Sequence, residues 1–561
     1  MKKPLPIGVD SFRDMIAKGY YYVDKTLMIK EILDKQGEVN LFTRPRRFGK
    51  TLNISMLQYF FEDTRREEEN EANRKLFEGL LIMQAGERYT GRMCGYPVIT
   101  LSLKSGKQPD FESAYASLKD EIQKQFIHFA WVMEDENLTQ VEKNKFDELM
   151  QGAAPRFAYA KSLQFLSQCL AKVYGKNTII LIDEYDVPLE NSYFCGFYSD
   201  MADFIRSLFE SALKSNRCLE FAVITGCLRI TKESIFTGLN NLKINTILSA
   251  EYDEFFGFTQ DEVEGMLDYY GMQDCAGTVK VWYDGYLFGE KEVYNPWSVI
   301  NYVSQLCASK DALPSPFWAN TSSNSIVRSL VERADIGVKG ELESLIEGNT
   351  ITKQIHEDIT YEDVYESEDN LWNFLFFTGY LKQISRKMES ENIYVEMAIP
   401  NAEVRYIYKN TILNWFEKRL KGTDFKDLYN AMEQGNTPVM EKVISAQLLE
   451  TISFYDYAES YYHGFLAGLL KNNGTYRILS NREAGTGRPD IILKTPSVRG
   501  KAILFELKVA GAFAQMEKQC ENAALQMREQ KYDAPLREEG YSDILMYAVC
   551  FYRKECMIRR V

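Results

Sequence analysis

Histidine is nearly absent from this chain: His128, His356 and His463 are the only three in 561 residues. The ten cysteines run from Cys94 to Cys556 without a single CxxC pair. These two shortages remove the framework for a zinc cage, and the size and spacing argue against a disulfide scaffold. A reducing, cytoplasmic location is expected. No stretch approaches the roughly 18 consecutive apolar residues of a membrane helix, so no membrane partner is expected. The opening MKKPLPIGVDSF has no apolar run and does not read as a secretory signal. Internal repeats and low-complexity linkers are also missing. Positive charge is not in excess either. The formal net charge is −14, which argues against a protein that coats nucleic acid nonspecifically. An acidic body can still carry a locally positive cleft. Arg44, Arg46 and Arg47 form one basic cluster, and Arg553, Lys554, Arg559 and Arg560 another.

Rings are plentiful, with 35 Tyr and 33 Phe, so the cores should be rich in them. The length is too great for one core and suggests three or four domains. VNLFT (Val39 to Thr43), VITLSL (Val98 to Leu103), TIILID (Thr178 to Asp183) and CLEFAVIT (Cys218 to Thr225) are short apolar runs, too short for helices. Such runs suit parallel strands buried on both faces. Long helical stretches lie between them, among them Thr51 to Phe61 and much of Phe111 to Tyr174. The alternation indicates an α/β fold with crossover helices. Thr259 to Val303 reads as helical around an aromatic break, WYDGYLFG (Trp282 to Gly289). Asn320 to Lys421 is helix-rich. From about Phe425 the pattern starts helical, turns to strands at Tyr476 to Phe505, and closes with a helix and the strand ILMYAVCFY (Ile544 to Tyr552).

RPRRFGKT (Arg44 to Thr51) stands where a strand should pass into a helix. A phosphate loop works because backbone N–H groups and a helix N-terminus face the phosphates, a lysine reaches the terminal phosphates, and a hydroxyl holds Mg²⁺. Gly49, Lys50 and Thr51 supply the last three positions, while Arg44 occupies the place of the first glycine. Arg46 and Arg47 flank the loop and are expected at phosphate or at a neighbouring protomer. LIDEYD (Leu181 to Asp186) ends a buried strand with Asp183, suited to the Mg²⁺ shell, and Glu184, suited to polarising the attacking water. Thr225, at the end of the next strand, is placed to sense the γ-phosphate. Arg229 just beyond it would neutralise phosphate charge in cis or in a neighbouring subunit of a homo-oligomer. ATP with Mg²⁺ is the expected ligand.

A second constellation lies near the C-terminus. Asp490 heads a strand in GRPDIIL, and AILFELK (Ala502 to Lys508) carries Glu506 and Lys508 two apart, hence on one face of a strand. Two carboxylates from adjacent strands can hold Mg²⁺ or Mn²⁺, and the lysine can orient water for phosphodiester cleavage. The neighbours Leu504, Phe505, Leu507 and Val509 are apolar, so the charged pair interrupts a core strand. His463 reads either as a catalytic helper or as a helix-packing residue. Gln526, in the helical pattern Ala514 to Tyr532, reads either as touching this site or as solvated.

YVDKT (Tyr22 to Thr26), RPRRFGKT, LIDEYD, TGCLRITKESIFTGLNNL (Thr225 to Leu242), WYDGYLFG and VYNPWSVINY (Val293 to Tyr302) together resemble the AAA-ATPase-like family of bacterial proteins. LFFTGYLK (Leu375 to Lys382) and IPNAEVRYIY (Ile399 to Tyr408) fit its middle region. That family commonly ends in a PD-(D/E)xK nuclease domain, and its loop generally carries a basic residue where Arg44 stands. The resemblance implies a P-loop NTPase domain over 1–257 and a helical or winged-helix-like lid and linker over 258–424. A restriction-endonuclease-like α/β domain would occupy 425–561. It also implies a further acidic metal ligand from an early helix, the place that Glu459 matches. The expectation is an ATP-binding and hydrolysing protein whose metal-dependent nuclease cleaves DNA or RNA under nucleotide control, in a setting such as mobile-element or phage defence. The alternative is an ATP-dependent switch or scaffold whose nuclease-like domain only binds nucleic acid or a protein partner.

Overall fold

A computed structural model describes residues 2–214, 216–228, 235–236, 239–318, 336–356, 367–409, 425–450, 459–470, 475–480 and 489–561. By contact the chain separates into two compact units. One comprises Met1–Ser323 with Thr350–Tyr406, and the other Asn324–Asn349 with Ile407–Val561. The middle region expected at 258–424 is divided between them.

The first unit is organised by a parallel sheet of five strands: β1 (Val39–Thr43), β2 (Val98–Ser102), β3 (Thr178–Asp183), β4 (Leu219–Gly226) and β5 (Leu242–Asn245). Their order is β2-β3-β4-β1-β5. Every residue of β1 and β3 is buried, as strands covered on both faces by crossover helices must be. Four of the five strands are the apolar runs of the sequence: β1 and β3 match them end to end, and β2 and β4 differ by a residue at their ends. β5 was not anticipated, because LKIN is too short and too polar to stand out. The carboxyl ends of β1, β3 and β4 are adjacent in this order, which is where open α/β sheets bind ligands.

The aromatic break at Trp282 to Gly289 is more than an interruption between helices. It forms strand β7 (Tyr286–Phe288), which turns back on β8 (Lys291–Tyr294) and is joined through β8 by β6 (Phe258–Thr259). Gly285 makes the entry to this hairpin: its φ is +97°, and a Cβ there would stand 2.3 Å from the carbonyl oxygen of Pro400. Helical periodicity cannot announce that turn, since glycine's role is backbone freedom and close approach. Further on, β9 (Ile351–Ile355), β10 (Lys382–Glu389) and β11 (Asn392–Ala398) form an antiparallel sheet in the order β10-β11-β9.

The second unit is built on a mixed sheet, β12 (Arg477–Ser480), β13 (Ile491–Lys494), β14 (Lys501–Val509), β15 (Asp543–Tyr552) and β16 (Glu555–Arg560), in sequential order. β14 and β15 are parallel and the other pairs antiparallel. The alternation of β14 splits its apolar residues between two cores. Ile503, Phe505 and Leu507 pack with the helices Lys426–Gln434, Thr437–Glu450 and Glu459–Leu470. Ala502 and Leu504 pack with the helix Met516–Glu529. Glu506 and Lys508 share the parity of the second set. β16 was not foreseen; the basic residues Arg559 and Arg560 masked its alternation. Among the described residues no helix is long and apolar enough to cross a membrane.

Candidate nucleotide and metal sites

β1 passes into the loop 44–49 and the helix Lys50–Phe61 begins at once. Gly49, the residue before the helix, has φ +85° with open space where a Cβ would go. Backbone conformation, rather than crowding, is what calls for glycine here. The ammonium of Lys50 is buried beneath the loop and donates to the carbonyl oxygens of Arg44 and Pro45 at 2.9 Å each. Phosphate oxygens could replace those acceptors.

Arg44 corrects one sequence expectation. It belongs to no surface cluster: its side chain is fully buried and donates to the carbonyls of Thr43 (2.9 Å), Asn245 (2.8 Å) and Tyr252 (3.5 Å). The guanidinium lies 5.1 and 5.2 Å from the ring centroids of Phe256 and Phe288, and burial lowers its pKa to about 9. The absent first glycine is thus replaced by a side chain that fastens the loop to the sheet from below.

Asp183 closes β3 between two hydroxyls. Thr51 Oγ1 donates to Asp183 Oδ2 at 2.7 Å, and Thr225 Oγ1, at the end of β4, donates to Asp183 Oδ1. Glu184 follows with φ +53°, a left-handed conformation rare for a side chain of this kind and frequent where function holds the backbone. Burial raises its pKa, and the adjacent Asp183 charge adds to the shift. That direction makes Glu184 a better proton acceptor at neutral pH than an ordinary carboxylate.

Two further residues of LIDEYD matter, and neither was singled out from the sequence. The Tyr185 hydroxyl donates to the Leu228 carbonyl at 2.5 Å. Asp186 Oδ2 accepts from the backbone N–H groups of Cys227 (2.7 Å) and Leu228 (3.1 Å). Both tie the exit of β4 to the exit of β3. A Cβ on Gly226 would sit 2.4 Å from the Tyr185 ring, so this approach needs the glycine. Their signal was present: an acidic residue two beyond Glu184 is a plausible loop anchor once Thr225-Gly226 is known to lie alongside.

The flanking arginines part company. Arg46 pairs with Glu190, on the helix Val187–Cys195 that follows LIDEYD. Arg47 is exposed, has φ +72°, and stacks 4.3 Å from the ring centroid of Trp297. Arg229 lies outside the described residues.

In the second unit, Glu506 is 2% exposed and its Oε1 stands 3.0 Å from Lys508 Nζ. Asp490 directly precedes β13, one residue short of the strand expected to begin with it. Its Oδ2 accepts from the Leu507 backbone N–H at 2.8 Å, which brings the Asp490 carboxylate beside Glu506. His463 Nε2 is 3.0 Å from the Asp490 carbonyl oxygen, a contact that joins its helix to the start of β13. Glu459 begins the helix Glu459–Leu470, one turn before His463; its side chain lies outside the described residues, as do 481–488. Tyr532 was missed by sequence reasoning. It is buried, its hydroxyl accepts from Gln526 Nε2 at 2.8 Å, and its pKa is raised first by burial and then by the Glu506 and Asp490 charges. Gln526 is thereby bonded to a hydroxyl that the Glu506 and Asp490 charges act on. Of the second basic cluster, Arg559 pairs with Glu517 (2.7 Å) and Glu521 (2.8 Å).

Among the described residues no group of three or more His, Cys, Asp or Glu side chains forms a ready-made cation cage. The donors present are hard oxygens: Thr51 with Asp183 in one site, Asp490 with Glu506 in the other. Such donors fit Mg²⁺ or Mn²⁺ that keep part of their coordination for water and phosphate.

Residues 6–236 match the AAA-ATPase-like family, described as "Predicted AAA-ATPase". Residues 457–561 match the PD-(D/E)XK nuclease superfamily. An AAA-ATPase-like domain and a PD-(D/E)XK nuclease superfamily domain are therefore both present. The chain is also 28% identical, over 341 residues, to an "Uncharacterized protein in vnfD 5'region" of Azotobacter chroococcum mcd 1; the match covers 59% of this chain and 57% of that protein.

Proposed function

We propose that this protein binds and hydrolyses ATP with Mg²⁺ in its first unit and uses nucleotide state to govern a metal-dependent phosphodiesterase in its second. The observation that carries the reading is Asp183 held between Thr51 and Thr225, with Lys50 beneath the loop. One carboxylate thereby links the phosphate loop to the strand-end hydroxyl that would meet the γ-phosphate. Lys50 would reach the terminal phosphates and Thr51 with Asp183 would hold the cation. Glu184 would take the proton of the attacking water. In the second unit Asp490 and Glu506 would hold Mg²⁺ or Mn²⁺, with Glu459 as a third ligand, and Lys508 would act on water. The bound ion would supply charge stabilisation at the phosphodiester. The antiparallel sheet β9–β11 and its helix Glu368–Phe377 we read as the winged-helix-like part of the middle region.

Nucleic acid, DNA or RNA, is the proposed substrate, with mobile-element or phage defence as the proposed setting. The test is incubation of the purified chain with plasmid, linear and single-stranded substrates, with and without ATP and Mn²⁺. Cleavage that depends on metal and responds to ATP supports the reading. The second reading, an ATP-dependent switch whose nuclease-like domain only binds a partner, is favoured by the net charge of −14 and the compensated Arg559. Metal-independent retention of nucleic acid or protein without cleavage would select it.

A further inference from the structure

The two arginines beside the phosphate loop take different partners. Arg47 is turned to Trp297. Arg46 is half-buried and its Nη2 engages Glu190 Oε2. Glu190 stands on the helix that leaves LIDEYD, four residues beyond Asp186. Lys50 Nζ is bound to the carbonyls of Arg44 and Pro45, so the lysine ends next to the Arg46 backbone. It is also 3.6 Å from Cys227 Sγ, and Asp186 holds the Cys227 N–H. The Cys227 thiol accordingly feels the charges of Lys50, Asp186, Arg46 and Glu190 together. Lys50, Cys227 and Asp186 are thus linked by direct contacts, and the Arg46–Glu190 pair lies on the same loop and on the helix that follows Asp186.

A guanidinium carries five N–H donors in a rigid fork, so a bond to a carboxylate fixes its plane without exhausting it. Glu190 is the more buried partner, 14% exposed against 32% for Arg46. Burial raises its pKa and the Arg46 charge opposes that shift, so the carboxylate is matched to the arginine it meets. We propose that Arg46 is the in-cis cation for the terminal phosphate of a bound nucleoside triphosphate, and that Glu190 is the positioning residue that aims it. The inference rests on the ATP reading above and deepens it. Arg46 acts on charge that develops in the transition state, where preorganised donors matter most. Glu190 acts only through Arg46.

The experiment is a double-mutant cycle on the full chain, with ATP turnover, ATP and ADP affinity and thermal melting recorded for each protein. Arg46→Ala is expected to lower kcat by about 10²–10³-fold, the usual loss for one transition-state donor. ADP affinity should change by about twofold at most, since ADP lacks the phosphate concerned. Glu190→Gln is expected to lower kcat by roughly tenfold with little change in KM, and Glu190→Asp to recover part of it. The double variant should be no slower than Arg46→Ala, the signature of residues acting as one unit. Millimolar guanidinium should restore part of the turnover of Arg46→Ala and none of the double variant's, a readout that survives if Glu190→Gln alone folds poorly. Losses that multiply would overturn the proposal, as would equal loss of ADP and ATP affinity in Arg46→Ala, or faster turnover in Glu190→Gln. Failure of the unmodified chain to bind ATP would remove the nucleotide reading itself, and this inference with it.

Discussion

The hydroxyl of Thr51 meets Asp183 at 2.7 Å across 132 residues of sequence. That bond joins the start of the loop helix to the end of β3, and Thr225 extends the link to β4. Two strand ends and the start of the loop helix are thus tied at one carboxylate, and the catalytic expectations follow from that junction.

Lys50→Ala removes the only ammonium bonded to the loop carbonyls in the described structure. ATP binding should fall below detection by titration calorimetry. Glu184→Gln keeps the shape and loses the proton acceptor, so it should bind ATP normally and lose about 10²–10⁴-fold in phosphate release. Undiminished affinity in Lys50→Ala would sink the phosphate-loop assignment.

Arg44→Gly would supply the glycine that the usual loop pattern has at this position. The structure anticipates harm instead of gain. Three carbonyls would lose a charged donor and a void would open between Phe256 and Phe288, at a cost of about 3 kcal/mol or more. A clear drop in melting temperature with no tighter ATP binding is the expected outcome; an unchanged melting temperature would contradict the role given to Arg44.

Asp490→Ala or Glu506→Ala should abolish metal-dependent cleavage, because each 1.36 kcal/mol of lost stabilisation is about tenfold in rate and a cation supplies several. Lys508→Ala should keep metal binding, read by Mn²⁺ titration, and lose cleavage. ATP affinity should survive all three. Cleavage persisting in Glu506→Ala would move the metal site elsewhere.

Glu403 offers a pH test. It is buried and accepts from Ser298 Oγ (2.8 and 3.0 Å) and the Trp318 N–H (2.8 Å), and burial raises its pKa to about 7. The folded state therefore holds a proton that the unfolded chain, at about 4.3, releases earlier. The stability tied to that proton is fully present below about pH 4.3 and is lost as pH rises to about 7, levelling above it. Denaturant titrations between pH 5 and 8 should show the wild type falling by a few kcal/mol relative to Glu403→Gln. Parallel curves for the two proteins would exclude the effect.

The local patterns of both candidate sites were legible in the sequence because the residues that form them lie close along the chain. Gly49-Lys50-Thr51 is a contiguous turn into a helix, LIDEYD is one strand and its exit, and Glu506 with Lys508 obey strand alternation over two residues. β1, β3 and β4 were readable for the same reason, since strands buried on both faces are apolar throughout. Arg44 was misplaced in its basic cluster because charge along a sequence says nothing about which side chains face inward. Arg44, Arg46 and Arg47 lie within four positions, yet one enters the core, one meets Glu190 and one stacks on Trp297.

Sequence alone determined which residues could bind phosphate and cation, because those roles depend on side-chain chemistry and short spacing. Tertiary structure alone decided the pairings: Asp183 between two hydroxyls, Asp186 under the exit of β4, Asp490 on the Leu507 N–H of the neighbouring strand. Each joins separate segments of the chain, brought together by strand order and by helices packed on a sheet. Spacing along the chain carries no record of such distances, since they are set by the hydrogen-bonded ladder and the burial that folds it.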